Sequence, residues 1–151
     1  DSGNIFINGK VCETEDILGK ISIVRQETFL FNDTLRNNIS LYEDINDENI
    51  LKVLNTINLT KFSSIEGLDT MIENLGINLS GGEKRRIMLA RALIRKKDVL
   101  ILDEPLANLD KNNAHLIEDL ILKINDVTLI VISHTFSEEK LKEFDEIYSL
   151  E

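Results

Sequence analysis

Apolar positions along this chain follow two spacings, one close to every second residue or unbroken, the other helical. Ile5-Phe6-Ile7 and Val11-Cys12 flank Asn8-Gly9, the dipeptide best suited to a type I′ turn, so the opening predicts a hairpin. Ile21-Ser22-Ile23-Val24 predicts a short strand that stops at Arg25-Gln26. From Asp47 to Ile57, residues Ile50, Leu51, Val53, Leu54 and Ile57 recur at helical spacing. Val99-Leu100-Ile101-Leu102 is an unbroken apolar run bounded by charges, and Val127 to Ile132 is a second run of the same kind; both predict strands buried on two faces. Between them Leu116, Ile117, Leu120, Ile121 and Ile124 predict a helix. Strand, helix and buried strand in that order define a right-handed βαβ unit. The fold class is therefore α/β, a mostly parallel sheet with helices on both faces. Ile147-Tyr148-Ser149-Leu150 reads as one further strand.

In open α/β sheets, ligands bind outside the carboxyl ends of the strands. Gln26 follows the first core strand, Asp103-Glu104 the second and Ser133-His134 the third. Two acids after an apolar strand suit phosphoryl transfer: Asp103 as a ligand of Mg²⁺, Glu104 as general base to the attacking water. Taken alone, the same pattern also describes a strand end with two solvated carboxylates. His134 taken alone is a hydrogen-bonded structural residue; beside Gln26 and Asp103-Glu104 it is placed to contact a terminal phosphate or orient water. His115, within the helical stripe, and Cys12, beside the turn, read as structural.

Ser80-Gly81-Gly82-Glu83 opens a helix running to about Arg95, with Ser80 as N-cap and Glu83 completing a capping box. The box does not account for two glycines in the first turn, each costing about 1 kcal/mol against alanine. Small residues there let main-chain N–H groups approach an anion, aided by the helix dipole. Lys84, Arg85 and Arg86 stand at the wrong end of the helix for that dipole and read as surface or ligand-field charges.

Composition narrows the classes. With 42% apolar and 29% charged residues the chain is ordinary for a globular protein. Its net charge of −10 disfavours nucleic acid as a partner. A single cysteine excludes an internal disulfide and a cysteine-rich metal site. No apolar run reaches the roughly 18 residues of a membrane span, and no signal-peptide pattern is present.

Read together, Leu79-Ser80-Gly81-Gly82-Glu83-Lys84-Arg85-Arg86, Ala90-Arg91-Ala92-Leu93, Leu100-Ile101-Leu102-Asp103-Glu104-Pro105, Asn108-Leu109-Asp110 and Ile132-Ser133-His134 resemble, in order and spacing, the nucleotide-binding domain of ABC transporters. The resemblance implies a P-loop NTPase fold of the ABC ATPase kind with a helical signature subdomain. It divides the chain into 1–26 (hairpin and Q-loop strand), about 27–95 (helical and signature subdomain) and about 96–151 (Walker B, D-loop and switch-histidine core). It implies ATP hydrolysis with Mg²⁺. Gln26 matches the Q-loop glutamine, which contacts the metal and water. Ser80, Gly81 and Gly82, with Glu83 in place of the commoner glutamine, match the signature loop that binds the γ-phosphate held by a second subunit. Asp103 and Glu104 match the Walker B aspartate and the catalytic glutamate, Asp110 the D-loop aspartate and His134 the switch histidine.

Gln26 to Ile39, with Phe29-Leu30-Phe31 and Thr34-Leu35-Arg36-Asn37-Asn38-Ile39, resembles the exporter-type segment. There the implied partner is a transmembrane domain, with a second nucleotide-binding domain docked head to tail and the whole at the cytoplasmic face of the cell membrane. Glu73-Asn74 stands where the exporter pattern has Gly-Glu, displacing that carboxylate by one position. The seven glycines include no G-x-x-x-x-G-K-[ST] phosphate loop. Asp1-Ser2-Gly3 resembles the family's segment just after that loop, so the sequence reads as a piece of a longer protein that cannot by itself grip ATP. A soluble ABC-family ATPase of translation, repair or cluster assembly, or a non-catalytic ABC-like interaction module, are the alternatives.

Overall fold

The computed structural model describes residues 6–7, 9–11, 14–27 and 29–149. Phe6–Ile7 (β1) and Lys10–Val11 (β2) pair antiparallel, with Phe6 opposite Val11. Gly9 takes a φ of +75° in the turn, a value open to glycine at no steric cost. The expected hairpin is present as far as it is described; Asn8 and Cys12 lie outside the described residues.

Thr14–Lys20 (α1) is a helix that periodicity did not announce, because its seven residues carry only the adjacent apolar pair Ile17-Leu18. It leads into Ile21–Val24 (β3). Then come Asp33–Thr34 (β4), Leu35–Ser40 (α2), Asp47–Thr56 (α3), a single 3₁₀ turn at Thr60–Phe62, Ile65–Leu68 (α4) and Met71–Ile72 (β5). Thr34 caps α2 by accepting from the Asn37 amide, and Asn46 caps α3 by accepting from the Glu48 amide. Gly81–Leu93 (α5), Val99–Asp103 (β6), Lys111–Ile121 (α6), Thr128–Ile132 (β7) and Glu138–Leu141 (α7) complete the order.

Strands β3, β6 and β7 form a parallel sheet in that spatial order, with Val24 opposite Leu102 and Leu102 opposite Val131. All three strands therefore end on one edge of the molecule. A separate antiparallel pair, β4 with β5, joins the two ends of the helical region.

The burial of the sheet corrects the sequence reading. Val24, Leu100 and Leu102 are buried with Ile87 and Ala90 of α5 and Ile117 and Ile121 of α6. On the opposite face Ile23, Ile130 and Ile132 are about half exposed. The unbroken apolar runs are thus covered on one face among the described residues, although their composition predicts burial on both. The expected strand at Ile147–Leu150 does not form over 147–149, where Ile147 and Tyr148 are exposed. No ladder partner pairs with these residues, and an unpaired strand has nothing to stabilise it; Leu150 lies outside the described residues.

The same apolar core continues from α5 into the helical region. Leu35, Ile39, Ile50, Leu54, Leu68 and Ile72 are fully buried there. Each such side chain contributes about 1.5–3 kcal/mol by leaving water.

Candidate functional site

The parallel register brings two of the predicted site residues, Glu104 and His134, together at adjacent strand ends. Asp103 is the last residue of β6, one rung beyond the Val24–Leu102 pair, and Glu104 follows it. The Glu104 amide donates to the Ile132 carbonyl at 2.8 Å, so the β6–β7 ladder continues one residue past the strand. Glu104 itself has a φ of +46°, the left-handed region that a side chain with a Cβ occupies only at a cost. From there its Oε1 lies 2.7 Å from Nδ1 of His134, while its Oε2 is buried with no partner among the described residues. The histidine ring is largely exposed. A carboxylate held at one oxygen, with the other buried and unpaired, is an acceptor waiting for a proton donor.

Gln26, two residues past β3, is exposed. With Glu27, Gly81, Arg85, Ala107, Asn108 and Leu109 it lines an open cavity of about 550 Å³. The structure therefore sets Gln26 beside the start of α5 and the turn before Asp110.

The start of α5 is the capping box that the sequence predicts. Ser80 Oγ accepts from the Glu83 amide at 3.2 Å, and Glu83 Oε2 accepts from the Ser80 amide at 2.8 Å. Glu83 Oε1 pairs with Lys61. Partial burial raises the Glu83 pKa, but Lys61 and the Ser80 amide outweigh it and hold the carboxyl below its ordinary value. Both of its oxygens are thus engaged within the chain.

The two glycines differ. A Cβ on Gly81 would meet only Leu109 Cδ2, at 3.5 Å. A Cβ on Gly82 would fall 2.1 Å from Asn113 Oδ1 and 2.6 Å from its Cγ. Asn113 in turn donates from Nδ2 to Asp110 Oδ2 at 2.6 Å. Gly82 is therefore where α5 closes onto the first turn of α6. Asp110 is the N-cap of α6: its Oδ1 accepts from the amides of Asn112 and Asn113 at 3.0 and 3.1 Å. The Asn113 side chain first, and its amide next, hold the Asp110 carboxyl below the ordinary range. We expect Gly81→Ala to raise the thermal midpoint, by up to about 1 kcal/mol of helix propensity. Gly82→Ala lowers it by about 1–3 kcal/mol through overpacking against Asn113. Thermal unfolding of the pair checks this; equal shifts would remove the close approach as the reason for Gly82.

The burial of five charged or amide side chains, Arg85, Arg86, Arg91, Asn38 and Glu118, escaped the sequence reading. Arg85 and Arg86, read as surface or ligand-field charges, are buried, and Arg85 lines the cavity beside Gln26. Arg91 Nη1 donates to the Phe29 carbonyl at 2.5 Å and its Nη2 to Asn38 Oδ1 at 2.9 Å, and Nε bonds the Asn38 carbonyl. Its guanidinium also lies 5.3 Å from the centre of the Phe31 ring. Burial, aided by the nearby Arg95 charge, brings the Arg91 pKa down to about 10. Asn38, fully buried, accepts from the Phe31 amide and donates to the carbonyls of Phe31, Asp33 and Thr34. Arg91 and Asn38 thus fix the stretch after Gln26, in which Leu30 is buried and Phe29 stands 54% exposed, edge-on to Phe31.

Glu118, 2% exposed, accepts from the Ser137 amide at 2.8 Å and contacts Ser137 Oγ and His115 Nδ1. It anchors the loop that carries His134, and His115 serves that anchor. The signal these residues offered was a charged residue at core spacing: Arg85 shares a stripe with Leu89 and Ala92, and Glu118 neighbours Ile117 and Ile121.

The donor set fits Mg²⁺ held with phosphates. Asp103 offers one hard carboxylate and Gln26 an amide oxygen, and Mg²⁺ takes one or two protein carboxylates plus phosphate oxygens. Among the described residues no group of three His, Cys, Asp or Glu forms an all-protein cage.

A profile of the ABC transporter family matches residues 1–107. The chain belongs to the ABC transporter family, and its α/β architecture is the ABC ATPase fold. It is 35% identical over 146 residues to the ABC-type transporter fsqE of Aspergillus fumigatus, covering 91% of this chain and 11% of that protein. It is 34% identical over 143 residues to a putative multidrug export ATP-binding/permease protein, YgaD, of Bacillus subtilis, covering 90% of this chain and 25% of that one. An ATP-dependent lipid A-core flippase of Idiomarina loihiensis is 40% identical over 123 residues, 78% of this chain and 21% of the flippase. Among solved structures, a bacterial Atm1-family ABC exporter with ATP bound superposes with a TM-score of 0.75 at 28% identity, over 89% of this chain and 25% of that one. The chain thus spans a quarter or less of the length of each of these relatives. No described helix is long and apolar enough to cross a membrane.

Proposed function

We propose that this chain is part of the ATP-hydrolysing domain of an exporter-type ABC transporter, working at the cytoplasmic face of the membrane. The observation that carries the reading is the Glu104–His134 contact at adjacent parallel strand ends, with Glu104 Oε2 buried and unpaired. Glu104 Oε2 takes the proton of the attacking water as its oxygen bonds the γ-phosphorus and the bond to the bridging oxygen breaks, releasing ADP and phosphate. His134, fixed by Glu104 through Nδ1, presents its other ring nitrogen to the γ-phosphate. Bound Mg²⁺ would neutralise developing charge on the phosphates, with Asp103 and Gln26 as its protein ligands.

In this reading Ser80, Gly81 and Gly82 face the γ-phosphate bound by a second copy docked head to tail. Glu83 shapes that helix start through the capping box. Asp110 caps α6 on the same side, and any contact it makes across the dimer is added to that cap. The exposed Phe29 ring and the clamped stretch up to Ile39 receive the transmembrane domain. Because the 151 residues hold no G-x-x-x-x-G-K-[ST], the chain expressed alone does not bind ATP tightly or turn it over.

The test is ATP hydrolysis by the full-length gene product in lipid nanodiscs. We expect turnover that requires Mg²⁺ and is lost on its removal by chelation. Absence of turnover in the intact, monodisperse protein would sink the reading.

A further inference from the structure

Arg85 stands in the second turn of α5, 3% exposed. No carboxylate pairs with it among the described residues. Its Nη1 donates to the Arg25 carbonyl at 3.1 Å and its Nη2 to the Ala107 carbonyl at 3.5 Å, while Nε has no partner. Burial accordingly lowers its pKa. Arg25 immediately precedes Gln26, and Ala107 lies in the turn between Glu104 and Asp110. The helix that carries Arg85 begins at Gly81-Gly82. One guanidinium, carried on that helix, therefore bonds the main chain just past β3 and in the turn toward α6, beside the cavity lined by Gln26, Gly81 and Asn108.

Stability does not account for this residue. A buried cation without a counter-charge, and with one donor unsatisfied, costs free energy. A methionine would fill the same volume without that cost. Side chains that break a local rule without a stabilising return concentrate where function needs them.

We propose that Arg85 is a positioning residue for hydrolysis. It holds the Gln26 strand end and the turn before Asp110 in register with the Ser80-Gly81-Gly82 helix start, so that the chain's own site at Gln26 and the helix start it presents to a second copy keep a fixed spacing. The inference rests on the ATPase reading above.

The experiment measures steady-state Mg·ATP hydrolysis and thermal unfolding of the full-length gene product in lipid nanodiscs, as wild type, Arg85→Met and Arg85→Lys. Arg85→Met lowers kcat about tenfold or more and leaves KM for ATP within about twofold. Its unfolding midpoint stays at or above that of the wild type, because cavity water reaches the two freed carbonyls. Arg85→Lys, whose ammonium reaches one carbonyl at a time, recovers part of kcat. Unchanged kcat in Arg85→Met, or a loss of kcat that accompanies a lowered midpoint, overturns the proposal. Absence of Mg²⁺-dependent turnover in the wild type instead overturns the ATPase reading, and this inference with it.

Discussion

Glu104→Gln, introduced into the full-length protein, lowers ATP turnover by about 10²–10⁴-fold, the range that a positioned general base contributes. ATP affinity stays within a few-fold and the thermal midpoint is unchanged. Glutamine has nearly the same shape, so it keeps the left-handed backbone at 104, the amide bond to the Ile132 carbonyl and a polar contact to His134. What it loses is the basic oxygen at the buried, unpaired Oε2 position. The measurement is paired: Mg·ATP turnover against ATP binding on the same preparation. Turnover above about a third of wild type would remove Glu104 as the base, and lost binding would make it a ligand instead.

The largest stability effect falls on Arg91. Arg91→Ala removes donors from the Asn38 carbonyl, the Phe29 carbonyl and Asn38 Oδ1, and leaves a void beside the Phe31 ring. Unsatisfied buried acceptors and the cavity together cost about 3–5 kcal/mol. At a few degrees per kcal/mol, the domain's thermal midpoint falls by about 10 °C. Arg91→Lys keeps a charge but not the fork, so it recovers only part of the loss. Asn38→Ala combined with Arg91→Ala costs less than the two singles added, because they share bonds. A midpoint shift below about 1 kcal/mol for Arg91→Ala would show that water replaces the guanidinium and that the clamp is not what fixes residues 29–34.

These two residues also mark how far the sequence could be read. Glu104 was legible: four aliphatics and two acids locate a strand end, and the matching ends at Gln26 and His134 locate the edge they share. The capping box at Ser80 was legible because its partners are three residues apart. Arg91 and Arg85 were not, because their acceptors lie at Phe29, Asn38, Arg25 and Ala107, far away in the chain. A helical pattern reports which face is buried; it cannot report that a guanidinium on that face finds carbonyls to bond. Glu118 escaped for the same reason, its Ser137 partner being supplied by another loop. Gly82 was legible as an anomaly, but its cause, the side chain of Asn113, belongs to a second helix. The one-sided burial of the sheet was beyond composition altogether, since an unbroken apolar strand reads alike whether one face or both are covered.

The main-chain bond from Glu104 to Ile132 fixes the backbone at Glu104 against the strand that precedes His134, while the 2.7 Å contact is made by the two side chains across the loop that Glu118 anchors. The strand ends at Gln26, Glu104 and Ile132 are thus set together when the sheet forms. The stretch gripped by Arg91 and Asn38 and the junction bridged by Arg85 are held by side chains instead. Slow exchange of the Glu104 amide alongside faster exchange of those at 29–34 would be the physical record of that division between a fixed blade and a jointed handle.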